Sequence, residues 1–394
     1  MLSDIPSETP PPDLAALAED HYFNANPPPK DLDKHIKLAK EFIDFHAAAG
    51  RRLVLVTSGG TTVPLDAEKQ TVRFIDNFSA GTRGATSAEY FLEAGYAVLF
   101  LHRQFSLLPF SRHYTHATDC FLDFLQEGPN NSVVARDEYA AKMLGVLRKY
   151  RDARDRNMLL VLPFVSISDY LHELRAIAHL MQPLGPRGLL YLAAAVSDFF
   201  IPPDRMAEHK IQSTDAVDSV KKNSNDGRGV RTPSVEEEET FDNFDSSPAV
   251  PRSKRLVIDL DPVPKFLKNL VEGWSPQGMI VSFKLETDPS ILVRKAKYSL
   301  DRYQHHLVIG NLLSTRKWEV VFVSPGSKDR WIRVPFNKNG PDGAPLDTEK
   351  DEPLDPKSLP EGDPPIEIES LIIPAVQELH TKYIQSYGEK KEQA

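Results

Sequence analysis

The sequence contains a single cysteine, Cys120, among its 394 residues. No intrachain disulfide can form, and nothing in the cysteine content favours a secreted, disulfide-stabilised protein. The chain also lacks an apolar run long enough to cross a bilayer, and its first residues, MLSDIPSETPPPDL, lack the basic and apolar regions of a signal peptide. We therefore expect a protein without a membrane segment, located in the cytoplasm or in both the cytoplasm and the nucleus.

Positive charge is also in short supply. Lys and Arg total 47 against 56 Asp and Glu, which gives a formal net charge of −9. This balance argues against a nucleic-acid-binding protein. Hydrophobic residues make up 41% of the chain and charged residues 26%, a composition typical of a globular protein with a sizeable core.

Apolar runs typical of buried strands alternate with stretches of helical periodicity. Strands are predicted at 53–56, 96–101, 158–164, 188–196, 255–260, 278–283, 306–309 and 318–323, with an edge strand at 329–334. Helices are predicted at 31–49, 85–94, 132–157, 169–184, 264–274, 289–305 and 366–388. This alternation predicts an α/β fold: a three-layer, Rossmann-like, mainly parallel sheet with helices on both faces. We assign it to a single domain spanning residues 31–388.

Three segments have a composition unlike that of the core. Residues 1–30 are proline-rich and are predicted to form an extended N-terminal arm. Residues 213–253 are acidic and polar, and residues 337–365 are rich in Pro, Asp, Glu and Gly. Neither of these two can bury enough apolar surface to offset ordering its backbone, so both are predicted to be disordered inserts.

The stretch from Leu53 to Leu92 organises the chain. A strand run breaks at Thr57-Ser58-Gly59-Gly60-Thr61, and a second glycine group, Asn77–Gly84, leads into a helix of small residues. Glycines let a backbone approach a phosphate, and free N–H groups at a helix start point towards it, so the stretch indicates an anion site. Ser79 could act as the N-cap. An ordinary strand–turn–helix unit is the alternative, since the spacing is neither GxGxxG nor GxxxxGK[ST].

Polar or small residues follow three further predicted strands, and in an open parallel sheet ligands bind beyond these ends. They are Ala193–Asp198, Phe283–Thr287 and Asn311. The three alanines indicate either a close approach to the backbone or tight helix–sheet packing, and Asp198 suits a ribose, amide, metal or capping role. Cys120 is expected to be buried, and His305-His306 lacks a third ligand at metal spacing and is expected to be structural.

Seven segments closely resemble eukaryotic phosphopantothenate–cysteine ligases, spread over residues 54–316. They are VTSGGTTVPLD, VRFIDNFSAGTRGATSAEYFLEAGYAVLFLHR, LYLAAAVSDFFIP, EHKIQS, VPKFL, SFKLETDP and NLLSTR. The resemblance implies ATP-dependent ligation of 4'-phosphopantothenate with L-cysteine through an acyl-adenylate, giving phosphopantothenoylcysteine, AMP and pyrophosphate in coenzyme A biosynthesis. It also implies Mg²⁺ with ATP and a homodimer. The bacterial flavin-dependent half is absent, so no FMN is expected, while association with other coenzyme A enzymes is compatible with the pattern.

The resemblance also assigns site residues by motif. It implies catalytic roles for Asn77, as stabiliser of the acyl intermediate, and Lys210, as a mobile cation closing on the triphosphate. It implies nucleotide binding by Gly59, Ser79, Gly81, Gly84, Phe283 and Asn311. It implies substrate binding by Asn77, Ala194, Ala195, Asp198 and Arg73, the last reaching the neighbouring subunit's substrate. Metal ligands cannot be assigned.

The sequence departs from the family pattern at Ala80 and Gly310, where serine and alanine are usual, and in the long insert after Lys210. Two other functions remain open. A dinucleotide-dependent oxidoreductase lacks the expected acidic residue after the second core strand, although Arg103 there could accept a 2'-phosphate. A non-catalytic regulatory subunit is the third reading, and the presence of Asn77, Asp198 and Lys210 disfavours it.

Overall fold

The computed structural model describes residues 14–65, 73–114, 120–206, 258–336 and 351–392. Contacts between these residues divide them into two compact units. The first comprises residues up to 62, 76–197 and from 264 onwards, and the second comprises residues 63–75 and 198–263. The single domain over residues 31–388 stays a prediction.

The first unit is built around an eight-stranded sheet. In chain order its strands are β1 (Leu53–Ser58), β4 (Ala97–Arg103), β7 (Leu159–Phe164), β8 (Gly188–Leu192), β11 (Met279–Glu286), β12 (Leu307–Leu312), β13 (Glu319–Val323) and β14 (Arg330–Arg333). The described residues also form three two-stranded ladders: β2 (Thr62–Pro64) with β3 (Phe74–Asp76), β5 (Leu125–Gly128) with β6 (Ser132–Ala135), and β9 (Phe199–Phe200) with β10 (Asp261–Pro262).

The strand order in the large sheet is β14-β13-β12-β11-β8-β1-β4-β7, and the six strands from β12 to β7 run parallel. The predicted α/β class is thus confirmed, with β13 and β14 added antiparallel at one edge. The central strand β1 has all six residues buried, because its LVLV run lies in the middle of the sheet. Ser58 pairs with His102, so β1 and β4 end at the same edge.

Eight α-helices lie in the described part of the chain. They are α1 (Leu14–Ala25), α2 (Leu32–Ala48), α3 (Thr82–Glu93), α4 (Asp137–Asp155), α5 (Ile167–Met181), α6 (Phe266–Asn269), α7 (Pro289–Tyr303) and α8 (Glu369–Glu392). A π-helical turn, Leu270–Trp274, continues α6. None of the described helices is long and apolar enough to span a bilayer.

Several predicted boundaries are wrong. Helix α1 occupies part of the predicted extended arm. The run between the two proline clusters is rich in alanine and leucine, which favour a helix, and contains no proline to interrupt it. Residues 132–135 form β6 instead of the start of α4. Part of the predicted insert 337–365 is ordered: Leu354 is 9% exposed, and its N–H donates to Glu319 Oε1 (2.8 Å). Residues 337–350 and the insert 213–253 lie outside the described residues.

A buried carboxylate on α3 connects that helix to two other parts of the chain. Glu89 accepts hydrogen bonds from the Phe110 N–H (2.7 Å), Arg112 Nε (2.7 Å) and His113 Nε2 (3.0 Å). Arg112 Nη1 also donates to Glu367 Oε1 (2.5 Å), just before α8. Burial alone would raise the pKa of Glu89, but the hydrogen bonds from His113 and Arg112 lower it to about 2. Charged side chains therefore link helix α3 to residues 110–113 and, through Arg112, to Glu367.

The substitution Glu89→Gln should lower the free energy of unfolding by about 3 kcal/mol at neutral pH, because it leaves Arg112 buried without a carboxylate from α3. The folded-state pKa of about 2 lies below the ordinary value of 4.5. The stabilisation is therefore complete above about pH 4.5 and is lost as the pH falls towards 2. Urea unfolding across this range measures it. As a control, Glu93→Gln breaks only the exposed pair with Lys149 and should change stability by about 0.5 kcal/mol or less. Equal losses in both variants would contradict the assignment.

Candidate active site

The glycine turn after β1 forms a short strap at the carboxyl edge of the sheet. Gly59 has φ +83°, a backbone conformation that L side chains rarely adopt. The Ala195 N–H donates to the Gly59 carbonyl (2.8 Å), and the Thr61 N–H donates to the Ala195 carbonyl (3.0 Å). Gly59–Thr61 and Ala195 are therefore locked together by two backbone hydrogen bonds.

Asn77 lies directly against this strap. A Cβ atom built on Gly60 would lie 1.7 Å from the Asn77 carbonyl oxygen, so no side chain fits at position 60. The Asn77 N–H also donates to the Thr61 carbonyl (3.1 Å). Asn77 itself is exposed, and its carboxamide makes no hydrogen bond to another described residue. The backbone of Asn77 is held in place while its side chain can meet a ligand.

The three alanines lie beyond their strand. Strand β8 ends at Leu192, so the prediction of a strand through Val196 was wrong. Side chains of β1 and of the strap hold the segment after β8: the Ala194 N–H donates to Thr57 Oγ1 (3.2 Å), and the Ser197 N–H donates to Thr61 Oγ1 (2.9 Å). Ala194 and Ala195 are partly exposed beside the strap. The predicted neighbours Gly59, Asn77, Ala194 and Ala195 are thus brought together.

The start of α3 is where the sequence predicts an anion site. Its N-cap is Gly81, with φ +83°, and not Ser79; the Ser79 hydroxyl instead accepts from the Gly81 N–H (3.3 Å). A cap with positive φ favours glycine, which is why serine does not occupy it. A Cβ on Gly84 would lie 2.4 Å from Ser58 Oγ, so this glycine permits close packing of α3 on β1. The first turn of the helix, which has free N–H groups, therefore packs on Ser58, the residue that directly precedes the strap.

Sequence reasoning did not find an ion pair that supports this region. Arg103, at the end of β4, donates through Nη1 to both oxygens of Asp76 (2.7 and 2.9 Å), the residue before Asn77. A Cβ on Gly59 would lie 2.7 Å from Arg103 Cβ. The adjacency of Asp76 to Asn77 was the only available signal. Because its guanidinium is engaged with Asp76, Arg103 is a poor candidate for a 2'-phosphate ligand.

The predicted nucleotide residues Phe283 and Asn311 lie inside neighbouring strands and not after them, because β11 and β12 are longer than their apolar runs. Phe283 is half-buried, with its ring edge-on to Tyr191 (centroids 5.1 Å apart). Asn311 is 7% exposed, and its Oδ1 is buried without a hydrogen-bond partner among the described residues. An orphaned buried acceptor is costly, which indicates a polar ligand group at this position.

The other predicted site residues belong to the second unit or lie outside the described residues. In the second unit, the Arg73 carbonyl accepts from the Leu65 N–H (3.1 Å) within the β2–β3 ladder, and the Asp198 carbonyl accepts from the Val263 N–H (2.9 Å). Asp198 is exposed and Arg73 partly exposed. Lys210 is outside the described residues.

Histidine and cysteine offer no metal site in the described residues, where no group of three His, Cys, Asp or Glu side chains is arranged to hold an ion. His306 Nδ1 accepts from the Ile280 N–H (3.0 Å), and His305 Nε2 lies 2.7 Å from Ser282 Oγ. Burial lowers the pKa of both histidines to about 4, so they are neutral and structural at pH 7. Cys120 is exposed, which corrects the expectation that it is buried.

Comparisons with known proteins agree on one family. Residues 49–117 match the family described as DNA/pantothenate metabolism flavoprotein C-terminal domain. Phosphopantothenate–cysteine ligase CAB2 of Saccharomyces cerevisiae is 48% identical over 80% of this chain and 80% of its own length. The phosphopantothenate–cysteine ligase of Homo sapiens is 36% identical over 91% of this chain and 96% of its own.

A solved structure of a histidine-to-alanine mutant of Cab2 in complex with phosphopantothenate-cysteine has a TM-score of 0.71 to this chain. It is 41% identical and covers 94% of this chain and 99% of its own.

The substitution Gly60→Ala should lower the free energy of unfolding by about 1–3 kcal/mol, because the added methyl group displaces the Asn77 backbone. Gly145→Ala is the matched control: a Cβ at this position on α4 has no atom within 4 Å. It should raise stability by about 0.5–1 kcal/mol through helix propensity. Urea denaturation at pH 7 measures both, and a Gly60→Ala variant as stable as the unsubstituted protein would refute the close contact.

Proposed function

The chain belongs to the phosphopantothenate–cysteine ligase family, and we propose that it joins 4'-phosphopantothenate to the amino group of L-cysteine. It is a ligase that forms an amide bond in coenzyme A biosynthesis. The observation that carries the proposal is the cluster of Gly60, Asn77 and Ala195 at the carboxyl edge of β1 and β8. This edge is where ligands of open parallel sheets bind.

We propose ATP as the activating substrate. A carboxylate is a poor electrophile, so its oxygen attacks the α-phosphorus of ATP, the bond to the β-phosphate oxygen breaks, and pyrophosphate leaves. The cysteine amine then attacks the carbonyl carbon of the acyl-adenylate. It loses a proton, and AMP leaves with the electrons of the broken C–O bond. The protein need mainly position the reactants and stabilise charge on the phosphates and on the tetrahedral oxygen.

The proposed nucleotide site uses backbone groups and two strand residues. The N–H groups at the start of α3, with Gly59, Ser79, Gly81 and Gly84 around them, suit phosphate oxygens. Phe283 offers a ring face or edge to the base. Asn311 offers its unsatisfied Oδ1 to a donor on the ribose or base. Mg²⁺ would be held chiefly by phosphate and water, since no described acidic cluster fits it.

Asn77 is proposed to donate its carboxamide N–H to the oxygen that becomes negative during amide formation. Its fixed backbone and exposed side chain suit this role, because preorganised donors lower the barrier without reorganising. Ala194 and Ala195 are proposed to bind phosphopantothenate through a backbone that no large side chain covers. For Asp198, Arg73 and Lys210 the family resemblance gives the substrate and triphosphate roles stated above, which remain predictions.

We also propose that the protein forms a homodimer. Phe78 and Phe105, on the loops around Asn77 and Arg103, are 80% and 95% exposed, and apolar side chains of this size are rarely left in water together. A cytoplasmic location, with or without a nuclear pool, and reaction without FMN also remain proposals. Association with other coenzyme A enzymes also remains a proposal. The choice of ATP over CTP is tested by comparing the two nucleotides in the assay below.

One assay tests the reaction. Purified protein is mixed with MgATP and phosphopantothenate, with and without cysteine, and AMP, ADP and pyrophosphate are followed. Cysteine-dependent AMP and pyrophosphate are expected. ADP instead would indicate an acyl-phosphate route and refute the adenylate step, whereas no turnover with ATP or CTP would favour a regulatory subunit. Tighter binding of NADPH than of ATP would favour an oxidoreductase.

The substitution Asn77→Ala should leave ATP affinity within about twofold and lower kcat at least about a hundredfold, since loss of one oxyanion donor costs that much in other acyl transfers. Steady-state kinetics and equilibrium ATP binding measure the two effects. Asn24→Ala, at an exposed position of α1, is the control and should change neither. Unchanged turnover in Asn77→Ala would refute the role.

The substitution Asn311→Ala should weaken ATP binding about tenfold while leaving stability nearly unchanged, because Oδ1 accepts no hydrogen bond from the described residues. Asn26→Ala provides the contrast. Asn26 is equally buried but donates to the Tyr22 carbonyl (2.9 Å), so its loss should lower stability by about 1 kcal/mol and leave ATP affinity alone. Calorimetric ATP titration and urea unfolding separate the two, and wild-type ATP affinity in Asn311→Ala would exclude this residue from the site.

A further inference from the structure

A second concave surface lies at the amino ends of the parallel strands, opposite the carboxyl ends that form the candidate active site. We call it the amino-edge cavity. It has a volume of about 690 Å³ and is lined chiefly by Arg51, Arg52, Tyr96, Glu378, Thr381 and Lys382. Arg52 directly precedes β1, whereas the glycine strap directly follows it, so the two sites are about 20 Å apart along one strand. A cavity of this volume is within the range of small-molecule sites.

The cavity has an excess of positive charge in a protein whose net charge is −9. Lys382 is neutralised by Glu378 (2.6 Å). Neither Arg51 nor Arg52 has a carboxylate within 4.0 Å among the described residues, although both are partly buried. Partly buried guanidinium groups without a counter-ion are unfavourable in the empty protein and favour capture of an anion.

Arg52 is held in one orientation by neutral groups. Its Nη1 donates to Thr381 Oγ1 (2.9 Å) and, more weakly, to the Tyr96 hydroxyl (3.5 Å), over whose ring its guanidinium carbon lies 5.9 Å from the centroid. The Tyr96 hydroxyl donates to His380 Nδ1 (2.9 Å), and His380 Nε2 donates to the Pro186 carbonyl (2.8 Å). Each group in this series of hydrogen bonds donates to the next, from Arg52 through Tyr96 and His380 to the Pro186 carbonyl. The series fixes the orientation of the guanidinium before a ligand binds.

Arg52 retains donors for a ligand. Its Nε–H and Nη2 N–H groups have no acceptor among the described residues, and these two nitrogens form one edge of the guanidinium fork. That edge matches two oxygens of a phosphate group. Arg51, whose Nη1 contacts His46 Nδ1 (3.2 Å), adds a second positive charge beside it. Burial lowers the pKa of both His380 and His46, so neither histidine competes with the arginines for an anion by carrying charge at neutral pH.

We propose that the amino-edge cavity is a second ligand site, which binds a phosphate-bearing anion through Arg52 and Arg51. Arg52 grips two phosphate oxygens through Nε and Nη2, and the remaining volume accommodates the organic part of a phosphate ester or diphosphate. The site is separate from the reaction centre and does not depend on the reaction assigned to the chain. It requires only that the arginines remain without a protein carboxylate.

Site-resolved arginine modification tests this on the full-length protein. Phenylglyoxal labelling is read by peptide mass spectrometry at Arg52 and at Arg151, an exposed arginine on α4 that serves as the internal control. Pyrophosphate at about 10 mM should slow labelling of Arg52 at least about fivefold and leave Arg151 unchanged. Inorganic phosphate and ADP are compared: protection by phosphate alone identifies a phosphate-ion site, and stronger protection by ADP identifies an organic phosphate.

A variant confirms the location. The substitution Arg52→Gln keeps a donor for Thr381 but removes the charge. It should raise the pyrophosphate concentration needed to protect Arg51 from labelling about tenfold, without changing turnover. Arg52→Lys keeps the charge without the fork and should give an intermediate loss. Labelling of Arg52 that no phosphate compound slows, or that sodium chloride at equal ionic strength slows as much, overturns the proposal.

Discussion

The contact between Gly60 and the Asn77 carbonyl is the constraint on which the candidate site depends. With 1.7 Å between that oxygen and the place of a Cβ, the chain can pass only if position 60 has no side chain. The same strap pairs with Ala195 on its other side. One stretch of three residues therefore sets the relative positions of two segments that are more than a hundred residues apart in the chain. It does so with backbone atoms, which leaves the Asn77 side chain for chemistry.

Most polar side chains around this strap have partners within the protein, whereas one buried acceptor on strand β12 does not have one among the described residues. Asp76 and Arg103 form an ion pair beside Asn77, and Gly84 leaves room for the Ser58 side chain. Thr57 and Thr61 accept hydrogen bonds from the backbone that follows β8. In contrast, Asn311 has a buried acceptor without a hydrogen-bond partner in the part of the chain that the structure describes. A folded protein satisfies nearly all of its buried polar atoms, so an exception at a strand position next to the predicted base site is informative. It points to a ligand group at this position.

The sequence could predict the fold class and much of the cluster, because parallel strands end at a common edge and the motifs after β1 and β8 had to meet there. It could not predict the Asp76–Arg103 pair, which joins residues 27 positions apart with no periodicity to reveal it. Strand lengths also escaped prediction. The polar residues Lys284 and Asn311 interrupted the apolar pattern, yet backbone pairing continued past them to Glu286 and Leu312. The capping role fell to Gly81 instead of Ser79 because cap geometry is a property of φ, which composition does not encode.

The order in which the chain is made gives the long-range anchors of α3 a temporal consequence. Arg83, in the first turn of that helix, donates to Glu369, a residue 286 positions later, and Arg112 reaches Glu367 across 255 positions. At synthesis rates of 5–20 residues per second, roughly 15–60 s separate the emergence of Arg83 from that of its partner. During this interval Arg83, in the first turn of α3, lacks the carboxylate with which it pairs in the folded protein. A ribosome-bound chain that already contains every glycine motif would therefore still be waiting for its last helix, and chaperones have that interval in which to act.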